Sequence, residues 1–222
     1  MNRTTGFLPA AALAILALVA APAFAQTADH SRHGFSGAEK WAGIFDDPAR
    51  DKWQKPDEVI RALKLAPEAV VADIGAGTGY FAVRFARAVP KGQVYGVDAE
   101  PDMVRYLDQR ARREGLANLT AVAAKAADPR LPAAVDLVIL VDTYHHVPDR
   151  ERYFSALKKS LKPGGKLAIV DFTLDSPEGP PKRDRIAPDK VKQELARAGY
   201  ALVEDHGFLP NQYFLVFRPA AN

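Results

Sequence analysis

The chain of 222 residues contains no cysteine. That absence excludes disulfides, thiolate metal sites, cysteine nucleophiles and redox dithiols together. Charge of one sign is lacking as well: 30 Lys and Arg stand against 27 Asp and Glu, a net of +3. No compact basic tract occurs, so the charge pattern implies no nucleic-acid partner. Beyond residue 25 no apolar run is long enough to span a membrane. His30 and His33 are too few to imply a metal site, and none is expected. What is present is apolar residues at 48%, enough for one packed domain.

The N-terminus reads as an export signal. Arg3 supplies a positive start, residues 8–25 are almost wholly apolar, and the segment closes on Ala23-Phe24-Ala25. Small residues at those two alanine positions suit cleavage after Ala25. The expected division is a signal peptide at 1–25, an N-terminal arm at 26–56 and a single domain at 57–222. The mature chain is expected to be exported, in the periplasm, with no stable membrane span. The alternative is an anchor formed by the uncleaved segment. The oligomeric state stays open.

Strand and helix patterns alternate along the remainder. A short helix is predicted over 38–45, then a polar connection over 46–56 and a helix opened by Pro56-Asp57. Buried strands are predicted at 70–74, 93–97, 119–123, 135–141 and 166–172. Helices are predicted at 80–88, 102–114, 149–161 and 188–198, with a Pro- and Gly-rich loop at 175–185. Two last strands, 200–205 and 212–217, are separated by six residues, too few for a helical crossover, so they should pair antiparallel. The sum is an α/β sandwich on a mostly parallel sheet.

The strongest local signal is Asp73-Ile74-Gly75-Ala76-Gly77-Thr78-Gly79. Gly75, Gly77 and Gly79 lie between a buried strand and a helix. Such glycines allow a tight turn and close approach of a ligand. The nicotinamide pattern would need glycine at residue 80, which is Tyr80, and no phosphate-loop Gly-Lys-Ser/Thr triplet follows. Asp98 ends the next strand, where a carboxylate can take both hydroxyls of a ribose.

Four stretches carry a family resemblance: VVADIGAGTGYFAVRFA (70–86), QVYGVDAEPDM (93–103), DLVILVDTYHHV (136–147) and LKPGGKLAIVDF (161–172). The chain resembles the class I S-adenosylmethionine (SAM)-dependent methyltransferases, of the small type-11 or ubiquinone-biosynthesis-like group. The resemblance implies a Rossmann-like sandwich with strand order 3-2-1-4-5-7-6, strand 7 antiparallel and helices on both faces. It implies SAM as cofactor. By carry-over, Asp73, Gly75, Gly77 and Gly79 shape the pocket for the methionyl part, and Asp98 takes the ribose. Ala99 and Met103 line the adenine side, while Asp142 and Thr143 face the methionine portion and the substrate. One position departs from the family: Lys125 stands where an acidic residue often meets the adenine amine, and lysine has no acceptor. Asp128 is the substitute on that loop.

Methyl transfer from a sulfonium is a direct displacement, so the protein chiefly aligns the partners and excludes water. His145 and His146 follow strand four, at the sheet edge where open α/β folds bind ligands, and are candidate bases. Tyr144 is a candidate for orienting the substrate. Asp171 ends strand five and is read first as structural. Trp41, Phe45 and Trp53 suit either a lid or simple packing. Related arsenic methyltransferases hold their metalloid through thiolates, which this chain lacks. The expected function is SAM-dependent methylation of a small-molecule or lipid-like acceptor. The alternative is an exported nucleoside-binding or scaffold protein that keeps the fold without turnover.

Overall fold

The computed structural model describes Met1 and residues 36–125 and 127–221. The expected signal, its boundary after Ala25, and His30 and His33 lie outside the described residues. Among the described residues no helix is long and apolar enough to cross a membrane.

The strands are β1 (Val70–Ile74), β2 (Gln93–Asp98), β3 (Leu119–Ala123), β4 (Val135–Val141), β5 (Leu161–Phe172), β6 (Tyr200–His206) and β7 (Gln212–Pro219). They form one sheet in the order β3-β2-β1-β4-β5-β7-β6. Pairs among the first five are parallel, as helical crossovers require. β7 runs antiparallel to both β5 and β6, so the expected terminal pairing forms. The expected fold, strand order included, is the observed one.

Helices α1 (Ala38–Phe45), α2 (Asp51–Gln54), α3 (Pro56–Leu63), α4 (Ala82–Ala88), α5 (Pro101–Arg113), α6 (Arg150–Leu157) and α7 (Pro188–Arg197) complete the described structure. Pro56, Pro101 and Pro188 each open a helix, where the missing N–H costs nothing. Alternate strand residues feed two cores. Val71, Ile139 and Phe214 pack with Phe85 and Leu107 on one face. Val138, Leu140 and Leu215 pack with Phe154 and Leu195 on the other. Each fully buried Leu or Phe contributes about 1.5–3 kcal/mol, so both faces of the sheet must be covered. Asp136 interrupts the apolar run of β4 because its Oδ2 accepts from the Val70 N–H and the Lys162 ammonium, each at 2.7 Å.

Local differences from the predicted elements have physical causes. The connection over 46–56 is helical rather than irregular. Asp47 Oδ1 accepts from the Ala49 N–H at 2.8 Å and starts a 3-10 turn, Pro48–Arg50, which α2 continues. Arg50 then donates to Gln54 Oε1 at 2.9 and 2.6 Å, tying the two turns together. α4 begins at Ala82, two residues late, because Gly79 is left-handed. The helix predicted over 149–161 ends at Leu157 and tightens to 3-10. β5 starts at Leu161, since Leu161 already pairs with Val135 across a bulge.

Candidate active site

β1 and β4 are neighbours whose partners lie on opposite sides, so the strand order reverses between them. Open α/β sheets bind ligands in the crevice at such a point. The glycine loop leaves β1 there. Gly75, Gly77 and Gly79 have φ of 78°, 55° and 95°, a region that strains any residue with a Cβ. The amides of Gly75 and Ala76 both donate to the Val97 carbonyl, at 2.8 and 3.0 Å, which folds the loop over β2. A Cβ on Gly75 would strike the Thr143 side chain. The loop is therefore clamped between the exits of β2 and β4.

Asp98 closes the turn from the β2 side. Its Oδ2 accepts from the Gly77 N–H at 2.8 Å and its Oδ1 from the Glu100 N–H at 2.9 Å. Burial raises its pKa above the ordinary carboxylate value, while the Glu100, Gly77 and Ala99 amides pull it back. A carboxylate offers about four acceptor sites, more than these amides use, so it can still accept from a ribose hydroxyl. Asp73 is fully covered beneath the loop. Burial, then the charge of Asp98, pushes it up to about 7, against a lowering by the Ala82 amide. Met103 lies on the buried face of α5, and Ala99 is exposed beside Asp98.

The turn after β3 is tied to the same place. The Ala124 N–H donates to the Asp98 carbonyl at 2.8 Å. Lys125 and Asp128 form a backbone bridge, and both side chains are exposed. Asp128 Oδ1 accepts from the Arg130 N–H at 2.8 Å, so the carboxylate caps its own turn.

At the exit of β4, Asp142 is left-handed, with φ of 54°. Its Oδ2 accepts from Gln54 Nε2 at 2.8 Å and approaches Arg50 Nη2 at 3.5 Å, and its Oδ1 accepts from Gln212 Nε2. Burial and then the charge of Asp171 push it up to about 7, with Arg50, Gln54 and His145 opposing. Thr143 Oγ1 donates to the Val141 carbonyl at 2.9 Å and packs on Gly75. A 3-10 turn, Tyr144–His146, follows. His145 Nδ1 lies 3.0 and 2.9 Å from the two oxygens of Asp171, and the rings of His145 and His146 are 4.1 Å apart.

Tyr144 is not brought to this group. It is fully buried on the far side of the turn, stacked on Phe154 at 5.2 Å, and it donates its hydroxyl to Glu194 Oε2 at 2.8 Å. No surface of it faces the crevice.

Asp46, Arg50 and Gln54 enter the site without a local sequence signal, whereas Phe45 and Trp53 were expected as either a lid or simple packing. Asp46 Oδ1 accepts from Thr78 Oγ1 at 3.0 Å and from Arg110 at 2.7 Å. A Cβ on Gly77 would lie 3.4 Å from the Phe45 ring, so Phe45 covers the loop. Arg50 and Gln54 reach Asp142, and Trp53 meets Phe172 at 6.0 Å between ring centres. Phe45, Arg50, Trp53 and Gln54 thus bring the segment 45–54 against the glycine loop and the exits of β4 and β5. Gln212, a polar residue ahead of the apolar run 213–217, is the one visible hint. Gln212 Oε1 and the Tyr213 hydroxyl are buried without a partner. Among the described residues no group of three or more His, Asp or Glu is arranged to hold a metal ion.

Comparisons with known proteins agree with this geometry. The family described as "Methyltransferase domain" matches residues 71–165. A trans-aconitate 2-methyltransferase of Rhodopseudomonas palustris (strain BisB18) is 30% identical over 186 residues, covering 82% of this chain and 67% of the relative. A ubiquinone biosynthesis O-methyltransferase of Cupriavidus pinatubonensis is 33% identical over 160 residues, 64% of each chain. The crystal structure of a SAM dependent methyltransferase from Aquifex aeolicus superposes with a TM-score of 0.75 at 24% identity, covering 81% of this chain and 97% of that one. At that identity the match is one of fold.

Proposed function

The chain belongs to the class I SAM-dependent methyltransferases, broadly of the ubiquinone-biosynthesis-like kind, and from that premise we propose how its site divides the work. The protein is an enzyme that moves a methyl group from SAM to a small molecule. SAM supplies an electrophilic methyl on a sulfonium sulfur. Asp98 holds the ribose hydroxyls, Ala99 and Met103 border the adenine, and Asp73 with Gly75, Gly77 and Gly79 shapes the methionyl pocket. Asp142 and Thr143 face the methionine end. Asp128 sits on the adenine-side turn and Lys125 leaves that edge without its usual acceptor. The arm excludes water through Phe45 and Trp53. The names of the relatives support a small organic or lipid-like acceptor, and His145 and His146, which follow β4, are the groups we assign to its side of the site.

The observation that carries the reading is Asp98: a half-buried carboxylate tied to the Gly77 amide, with acceptor capacity left over. Calorimetry with S-adenosylhomocysteine tests it. Asp98→Ala removes the charged acceptor of the ribose hydroxyls, so binding should weaken by at least about tenfold. Unchanged affinity would place the ribose elsewhere.

The N-terminal segment supports a further part of the reading. Arg3, the apolar residues 8–25 and the closing Ala23-Phe24-Ala25 suit export to the periplasm, with cleavage after Ala25.

A further inference from the structure

We propose that Arg185 is a positioning residue for the acceptor: its guanidinium holds the loop 173–185 in one shape, so that the acceptor's side of the crevice is a fixed wall and not a closing lid. The proposal rests on the methyltransferase reading above and adds the residue that shapes that side.

The loop has too few donors to hold itself. Pro177, Pro180 and Pro181 supply no N–H, so its carbonyls outnumber its amides. Arg185 meets five of those carbonyls. Nε donates to the Pro180 carbonyl at 2.8 Å and Nη2 to that of Glu178 at 2.9 Å. Nη1 lies 2.6, 3.1 and 3.3 Å from the carbonyls of Ser176, Thr173 and Leu174. Arg185 is half-buried, and among the described residues no carboxylate stands within ion-pair distance of it. Its charge therefore meets the loop's own carbonyl dipoles. A guanidinium carries five N–H groups in a fixed fork and can face several carbonyls at once. A lysine ammonium, with three donors on one atom, cannot reach them all.

The loop is set against the strand exits. The Thr173 N–H donates to the Asn211 carbonyl, just ahead of β7, at 3.1 Å. Gly179 has φ of 87°, and a Cβ there would lie 2.6 Å from the Phe172 ring, so the loop folds back onto the end of β5. Phe172 in turn meets Trp53, the neighbour of the Gln54 that reaches Asp142. Sheet order gives the wall its role. Asp98, assigned to the ribose, ends β2, while Asp142 and Thr143, assigned to the methionine end, follow β4. The donor thus runs from β2 toward β4, and β5, the next strand outward, exits beyond its reacting end. A loop leaving β5 borders what the donor meets there. Without the guanidinium the loop would sample many shapes, and the acceptor would have to order it on binding. Arg185 removes that ordering in advance, so it acts on acceptor binding and not on the donor.

Hydrogen exchange read residue by residue tests the wall. The Ser176, Glu178 and Asp184 amides bond within the loop and should be protected in the unmodified protein. S-adenosylhomocysteine should change their exchange less than about twofold. Arg185→Ala should speed it at least about tenfold, with the Ile169 and Leu215 amides of β5 and β7 unchanged. About 20 mM guanidinium chloride, far below denaturing strength, should restore protection in Arg185→Ala. Sodium chloride at the same strength should not, nor should lysine in Arg185→Lys. Equal exchange in the unmodified protein and Arg185→Ala, or full protection in Arg185→Lys, overturns the proposal. So does a slowing of about tenfold by S-adenosylhomocysteine, which would make the loop a lid. Calorimetry with S-adenosylhomocysteine should differ less than about twofold among the three proteins. No binding to the unmodified protein would instead strike the methyltransferase reading, with the exchange result still deciding the loop. Labelled methyl transfer, with trans-aconitate and catechol as probes, reads the acceptor side. Arg185→Ala should raise KM at least about fivefold with kcat within about twofold. An unchanged KM, or a fall in kcat alone, places the loop away from the acceptor and overturns the proposal.

Discussion

Asp73 shows how one buried carboxylate couples the glycine loop to pH. Its folded pKa is about 7, raised from 3.8, because burial and the charge of Asp98 both disfavour its anion. A raised folded pKa means the native state binds the extra proton between those two values. Its contribution is complete below about 4 and is lost as pH rises through about 7. Asp73→Asn keeps an acceptor for the Ala82 amide and removes the titration. The variant should show a flatter stability profile between pH 4 and 8, and at pH 8 should exceed the parent by on the order of 1–3 kcal/mol, read by urea unfolding. Parallel curves for the two proteins would mean Asp73 stays ionised in the fold. At this scale Asp73, Asp98 and the three glycines were legible, because each departs from what a buried strand or helix entry otherwise tolerates. Arg50, Gln54 and Tyr213 were not, because nothing local separates them from surface or core residues of the same type.

Elements are positioned by a few polar ties across the cores. The turn Tyr144–His146 is fixed from below by Glu194 on α7, which accepts from Tyr144 at 2.8 Å and from Arg150 at 2.6 and 3.1 Å. Glu194 is only 6% exposed, and its pKa stays low because, against burial, Arg150 and then Tyr144 hydrogen-bond it. Glu194→Ala leaves the Arg150 charge and the Tyr144 hydroxyl without that partner, so the fold should lose about 3 kcal/mol or more. Thermal unfolding reads that loss, and a change below about 0.5 kcal/mol would show that the tie is solvated. The helix entries at Pro56, Pro101 and Pro188 were legible from their chemistry alone. The helical turns over 48–54 were not. They are short and polar, and they hold because Asp47 caps them and Arg50 and Gln54 find Asp142 about 90 residues away.

The whole molecule brings the C-terminal ends of β1, β2, β4 and β5 to one crevice and sets the segment 45–54 beside it. The export reading belongs to this scale, since it concerns where that crevice meets its cofactor. Mass analysis of protein recovered from its own cells should find Gln26 as the first residue, in the fraction outside the inner membrane. A chain that keeps Met1 and stays in the cytoplasmic fraction would refute export.

The sequence by itself determined the alternation of strands and helices, the antiparallel end of the sheet and the glycine loop after β1. Those follow from periodicity, proline and glycine chemistry and short connections, all properties of neighbouring residues. Only the tertiary structure decided that Asp171 pairs with His145, that Gln212 and Gln54 converge on Asp142, and that Tyr144 turns away from the site. These contacts join residues 26 to 88 positions apart. Their partners are selected by which strand ends the sheet order places side by side, and no local pattern encodes that choice.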